Sequence, residues 1–174
     1  VGSFFVSARF ALARPNALFF RESESTMHKI FTRPIHIRFA QCDSAGIVFH
    51  PQFLTIFNGL IEDFFSDVVG KPFPTILQDG LMIPVAGLQC NFLSPCRAGD
   101  RLTASLWIEK LGYSSVRFAM TLSRGNDDCV RLVETMVCVS QEKGFKPIAW
   151  PEDFRSAMLD YVAGSDVKPL ALRL

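Results

Sequence analysis

The stretch Asp43-Ser44-Ala45-Gly46-Ile47-Val48-Phe49-His50-Pro51 places a carboxylate in a tight glycine-containing turn just ahead of a helical pattern. The free N–H groups at a helix start point back toward such a turn, and the positive end of the helix dipole favours negative charge there. A carboxylate beside those donors can attack a carbonyl carbon or take a proton from water that does so. The chemistry this pattern fits is acyl transfer at a polarised carbonyl. The competing role for Asp43 is that of a turn or N-cap residue, which aspartate often fills. Cys42 adjoins it as a second candidate nucleophile, although a small buried cysteine ordinarily packs as a core residue. Glu62 and Asp63, further along the helical pattern, are rival carboxylates.

In QFLTIFNGLIEDFFSDVVG the apolar positions recur at helical spacing and cover most of the circumference, so a buried helix is expected. Pro51 suits its first turn and Gly70 followed by Pro72 stops it, which predicts a helix over 51–69. Ahead of the turn, IFTRPIHIRF alternates apolar and polar residues as a half-buried strand, with Pro34 marking an edge or bulge. After a loop containing Pro72, Pro74 and Gly80, strand-like runs follow at 81–93, 102–111, 115–124 and 130–141. SPCRAGD, LGYSS and RGNDD separate them, connections short enough for an antiparallel meander. WPEDFRSAMLDYV reads as a short C-terminal helix. The expected fold class is α+β, a curved antiparallel sheet wrapped around a long central helix.

The chain has 174 residues, enough for one sizeable core. Residues 1–26 are expected to be an extension outside the domain, 27–160 the domain and 161–174 a tail. A formal charge of +1 with mixed signs gives no basic stripe, which argues against nucleic acid as a partner. No apolar run reaches membrane-spanning length. Cys42, Cys90, Cys96, Cys129 and Cys138 form no C-x-x-C pair and no zinc-like spacing with His28, His36 and His50. A reduced, cytoplasmic protein without structural metal is therefore expected. Only 20% of residues are charged while 49% are hydrophobic, so part of the apolar surface is expected to meet another subunit.

RFAQCDSAGIVFHPQFLTIF resembles the active-site motif of the 4-hydroxybenzoyl-CoA thioesterase family of hotdog proteins. GLMIPV, the AGDRL turn and SSVRF resemble its later strands, so the likeness spans roughly Ile30 to Val139. It implies the hotdog fold and a catalytic Asp43, acting as nucleophile or as base for water. The matching oxyanion donor is the backbone N–H of His50, whose imidazole is a second candidate for assisting the leaving thiolate. Gly46, Phe49, Ser114 and Ser115 are the expected substrate contacts, although serines beside Gly112 also form turns. Arg97, Arg101, Lys110 and Arg117 could meet CoA phosphates, in place of the basic cluster that the 4-hydroxybenzoyl-CoA enzymes carry near GYSS. Asn58 stands where those enzymes are often acidic. The expected substrate is an aromatic or short- to medium-chain acyl-CoA, with no cofactor. The expected assembly is a homodimer or homotetramer with sheets joined edge to edge and the site between subunits. The alternatives are a thioesterase acting on acyl carrier protein and a hotdog module that binds acyl-CoA without cleaving it.

Overall fold

The computed structural model describes residues 28–164 and residue 170. The expected extension over 1–26 lies outside the described residues, as do 165–169 and 171–174 of the expected tail. In chain order the elements are β1 (Phe31–His36), a 3-10 turn (Phe39–Gln41), α1 (Pro51–Asp67), α2 (Phe73–Gln78), β2 (Leu81–Met82), β3 (Val85–Phe92), β4 (Arg101–Leu111), β5 (Ser115–Arg124), β6 (Asp127–Val137), β7 (Val139–Ser140), β8 (Lys146–Pro147) and α3 (Glu152–Leu159). The main sheet is antiparallel with the order β1-β4-β5-β6-β3, and β2, β7 and β8 form a small second sheet.

The α1 helix buries Phe53, Phe57, Leu60, Ile61, Phe64 and Phe65 against the main sheet. The period-two alternation of the strands supplies the opposing face: Leu102, Ala104, Leu106 and Ile108 from β4, and Val116, Phe118, Met120 and Leu122 from β5. Phe64 meets Phe31, Phe118 and Tyr161 edge-on at centroid distances of 5.5, 5.6 and 5.1 Å. Each such buried ring contributes about 1.5–3 kcal/mol through removal from water. Pro51 starts the helix, and Gly70 at φ +72° reverses the chain after it.

The structure corrects four expectations. The four runs after the helix do not form a meander in sequence order, because β3 pairs with β6 and not with β4. The connection over 93–100 therefore crosses from one end of the sheet order toward the other. The run over 81–93 is two strands, broken at Ile83–Pro84, since proline has no N–H for a ladder. The loop containing Pro72 and Pro74 holds α2, anchored by the buried Ile76 and by Phe73 at 5.3 Å from Phe65. Finally, α1 is not buried all round: Leu54, Thr55, Asn58 and Glu62 are exposed beside β3. Past α3 the chain stays attached, with Ile108 N–H donating to the Tyr161 carbonyl at 2.9 Å and Ala163 N–H to that of Ile108 at 2.8 Å. Among the described residues no helix is long and apolar enough to cross a membrane.

Candidate active site

The turn ahead of α1 is built by its own backbone. Asp43 N–H donates to the Ile47 carbonyl at 2.9 Å and Gly46 N–H to the Asp43 carbonyl at 3.0 Å. The Ala45 N–H donates to Asp43 Oδ1 at 2.8 Å, which holds the carboxylate over the turn. Gly46 adopts φ +73° with open space where a Cβ would stand, so backbone conformation alone demands glycine there. Two further bonds seat the segment, Val48 N–H to the Cys96 carbonyl at 2.8 Å and Phe49 N–H to that of Gln41 at 2.9 Å.

The donors at the start of α1 can be counted one by one. Pro51 has no N–H, Gln52 donates to the Phe49 carbonyl at 2.8 Å, and Phe53 donates to the His50 carbonyl at 3.2 Å. Among the described residues no acceptor meets the N–H of His50. One unpaired backbone donor thus remains at the positive end of a long helix, within one turn of Asp43 in the chain. Such a donor suits a developing oxyanion. His50 also lines an apolar pocket of about 300 Å³ with Phe53, Phe92, Leu93 and Cys96. Its imidazole lies 5.1 Å from the Phe49 ring and 6.4 Å from that of Phe92.

Asp43, Phe49 and His50 are exposed in the single chain. Ser114 and Ser115 are not brought to them: they sit in the turn between β4 and β5, where Cys138 N–H meets the Ser114 carbonyl and Gly112 N–H meets that of Ser115, both at 2.7 Å. The length of β4 separates the two places, because Ile37 and the 93–100 crossover abut its first residues while Ser114 follows its last. The rival carboxylates are engaged elsewhere. Glu62 Oε1 accepts from Asn58 Nδ2 at 2.6 Å, and Asp63 pairs with Arg33 of β1 at 3.4 Å. Cys42 is half-buried, with Sγ 3.8 Å from the Arg38 carbonyl. Of the four candidate phosphate contacts, Arg117 pairs with Glu109 at 2.9 Å, and Lys110 shares its end of the sheet. Arg97 and Arg101 flank the crossover beside the 43–50 turn.

Sequence reasoning missed the wall of the pocket. Leu93 falls at the end of a run that reads as a strand and Cys96 within the SPCRAGD turn, and no spacing connects them to His50. The crossover that delivers them is pinned by Asp100, which accepts from Arg97 N–H at 2.8 Å and from Arg124 at 2.6 Å. The Arg97 N–H, more than the Arg124 guanidinium, holds the Asp100 carboxyl below its usual range. Among the described residues no group of three or more His, Cys, Asp and Glu is arranged to hold a metal ion.

The chain is similar to known proteins in sequence and in fold. A Bacillus subtilis relative, "Putative acyl-CoA thioesterase YneP", is 26% identical over 140 residues, 78% of this chain and 94% of its own. The 1,4-dihydroxy-2-naphthoyl-CoA hydrolase of Thermosynechococcus vestitus is 28% identical over 105 residues, 60% of this chain and 70% of its own. A Staphylococcus aureus protein solved in complex with CoA superposes with a TM-score of 0.75 at 16% identity, over 83% of this chain and 91% of that one. The family model described as the thioesterase-like superfamily matches residues 37–158, and the chain belongs to that family of hotdog-fold thioester hydrolases.

Proposed function

We propose that this protein hydrolyses the thioester of an aromatic or short- to medium-chain acyl-CoA, with Asp43 and the His50 N–H as its reacting groups. The carrying observation is the N–H of His50 at the start of α1, unpaired among the described residues, on a residue that lines an apolar pocket beside the Asp43 turn. Asp43 takes a proton from water as the water oxygen bonds to the thioester carbon. The carbonyl electron pair moves onto oxygen, and the N–H of His50 donates a hydrogen bond to the oxyanion. Collapse breaks the C–S bond, and the CoA thiolate leaves with the proton, releasing free acid. If Asp43 itself attacks, its oxygen bonds to the carbonyl carbon, the C–S bond breaks as CoA thiolate leaves, and water then cleaves the mixed anhydride to free acid and the Asp43 carboxylate. Relatives that hydrolyse acyl-CoA, one with a dihydroxynaphthoyl substrate, support this choice of substrate class.

The reading includes a second copy of the chain. β3 is an edge strand with Val85, Leu88 and Phe92 exposed, at 49%, 46% and 53%. An unpaired apolar edge of this kind invites another strand. Antiparallel pairing of β3 with its copy would set the Val85 end of one protomer beside the Phe92 end of the other. Ser115 pairs with Val137, next to the Met136 that pairs with Val85, so the second copy's Ser114 and Ser115 would arrive near Asp43. That would cover the exposed site and reconcile the separated candidates.

The test is release of free thiol from a panel of benzoyl, hydroxybenzoyl, naphthoyl and straight-chain acyl-CoAs by the wild type and Asp43→Asn, with circular dichroism on both. Turnover by the wild type, lost in the folded variant, supports the reading. Full activity in the variant sinks the role of Asp43, and binding without cleavage sinks hydrolysis itself.

A further inference from the structure

A second cavity of about 350 Å³ lies between α1 and β3, further along the helix from the pocket at His50. Leu54, Thr55 and Asn58 line it from the helix, Val85 and Leu88 from the edge strand, and Glu134 of β6 closes its floor. Glu134 has the same strand parity as the core residues Leu132 and Met136, and pairs in register with Phe118 and Leu88, so it faces the helix. The residue is 5% exposed, yet among the described residues no hydrogen bond or ion pair reaches its carboxyl group. Burial alone pushes its pKa up. Its carboxyl oxygens are reached only from the groove, so a partner for them comes from whatever occupies that groove. An apolar groove with one such polar group at its end is the usual plan of a site that orients a small molecule.

The two cavities share their walls, α1 on one side and β3 on the other, with His50 and Phe92 at one end and Asn58 and Val85 at the other. From His50 to Asn58 the helix advances about 12 Å at 1.5 Å per residue. An acyl group whose carbonyl lies at the His50 N–H would therefore extend along the helix toward Glu134. We propose that Glu134 is a specificity-determining residue that receives a hydroxyl group on the far end of the acyl moiety. This deepens the hydrolase reading and rests on it. In either ionisation state the carboxyl group accepts a hydrogen bond from a hydroxyl, and when protonated it also donates one. A parent acyl group lacking that hydroxyl would leave Glu134 unpaired in the closed groove, and sites of this kind reject such analogues strongly.

The test compares hydroxylated benzoyl- and naphthoyl-CoA thioesters with their unsubstituted parents on wild type, Glu134→Gln and Glu134→Leu. We expect the wild type to prefer a hydroxylated member by roughly 10- to 100-fold in kcat/KM. Glu134→Leu should abolish that preference while keeping turnover of the parent, and Glu134→Gln, which retains an acceptor, should keep part of it. Binding of the free product acids, measured by calorimetry on the same proteins, gives a readout that does not need turnover. If no thioester is cleaved, the hydrolase reading falls, and the Glu134 assignment stands or falls on whether the wild type alone favours the hydroxylated acids. Equal treatment of hydroxylated and parent compounds by the wild type overturns it. So does a Glu134→Leu variant that keeps the preference but shifts to a smaller species in solution, which would assign Glu134 to pairing with a second copy.

Discussion

Asp43 stands exposed in a turn that its immediate neighbours build, whereas Glu134 stands buried among segments drawn from a helix, an edge strand and the sheet interior. The first carboxylate has a local hydrogen-bond partner in Ala45, and the second has none among the described residues. The difference fits the two roles proposed above. A reacting group must meet water and substrate and can be positioned by a short motif, while a selecting group works by lacking a partner until the right ligand arrives.

The largest effect that could break this comparison is at the turn. Asp43→Asn should lower kcat by about 10²–10⁴-fold with the fold intact. A loss of that size in Glu62→Gln or Asp63→Asn instead would move the chemistry into the helix. Next comes the backbone donor. His50 has φ −50°, which proline can adopt, so His50→Pro removes the N–H while keeping that angle, with circular dichroism confirming the fold. A fall in kcat of about 10²–10³-fold is expected, against a much smaller one for His50→Ala, which keeps the N–H. Equal losses in the two would give the role to the imidazole. A smaller effect, on stability, is expected at Gly46. An added Cβ meets nothing there but would sit at φ +73°, so Gly46→Ala should cost about 1–2 kcal/mol in denaturant unfolding.

The smallest effects, read from stability against pH, sharpen the contrast between exposed and buried carboxyl groups. Asp100 has its pKa lowered from 3.8 by the Arg97 N–H and Arg124, so its contribution is present above that value and fades as pH falls through the folded pKa. Glu134 has its pKa raised from 4.5 by burial, so it costs nothing while protonated in both states and costs progressively more as pH rises. Wild type should thus gain on Asp100→Asn with rising pH and lose on Glu134→Gln. Parallel pH trends in the two comparisons would contradict the unpaired burial of Glu134.

The turn and the helix were legible because their signals are local. Asp43, Gly46, Pro51 and Gly70 act through their own backbone neighbours, and the helical spacing of the α1 phenylalanines marks the helix, though not which face stays exposed. The runs that became β4 and β5 were equally plain as strands. The position of β3 was not. Its apolar residues suit either neighbour, and adjacency in the chain favours β4, yet β3 lies against β6. The same crossover explains why Leu93 and Cys96 escaped notice as walls of the pocket. Ser114 and Ser115 look like contacts in the motif and lie far from Asp43 in one chain, a separation that only a second copy could close.

The sequence alone specified the turn and the helix start: a carboxylate, a left-handed glycine and a proline-led helix, which together hold the groups proposed to react. Tertiary structure alone decided what faces that end. Strand order is chosen by the summed fit of side chains across a sheet, a non-local quantity with no short-range code. A residue such as Glu134 becomes buried, unpaired and directed at a groove only after β3, β6 and α1 have met.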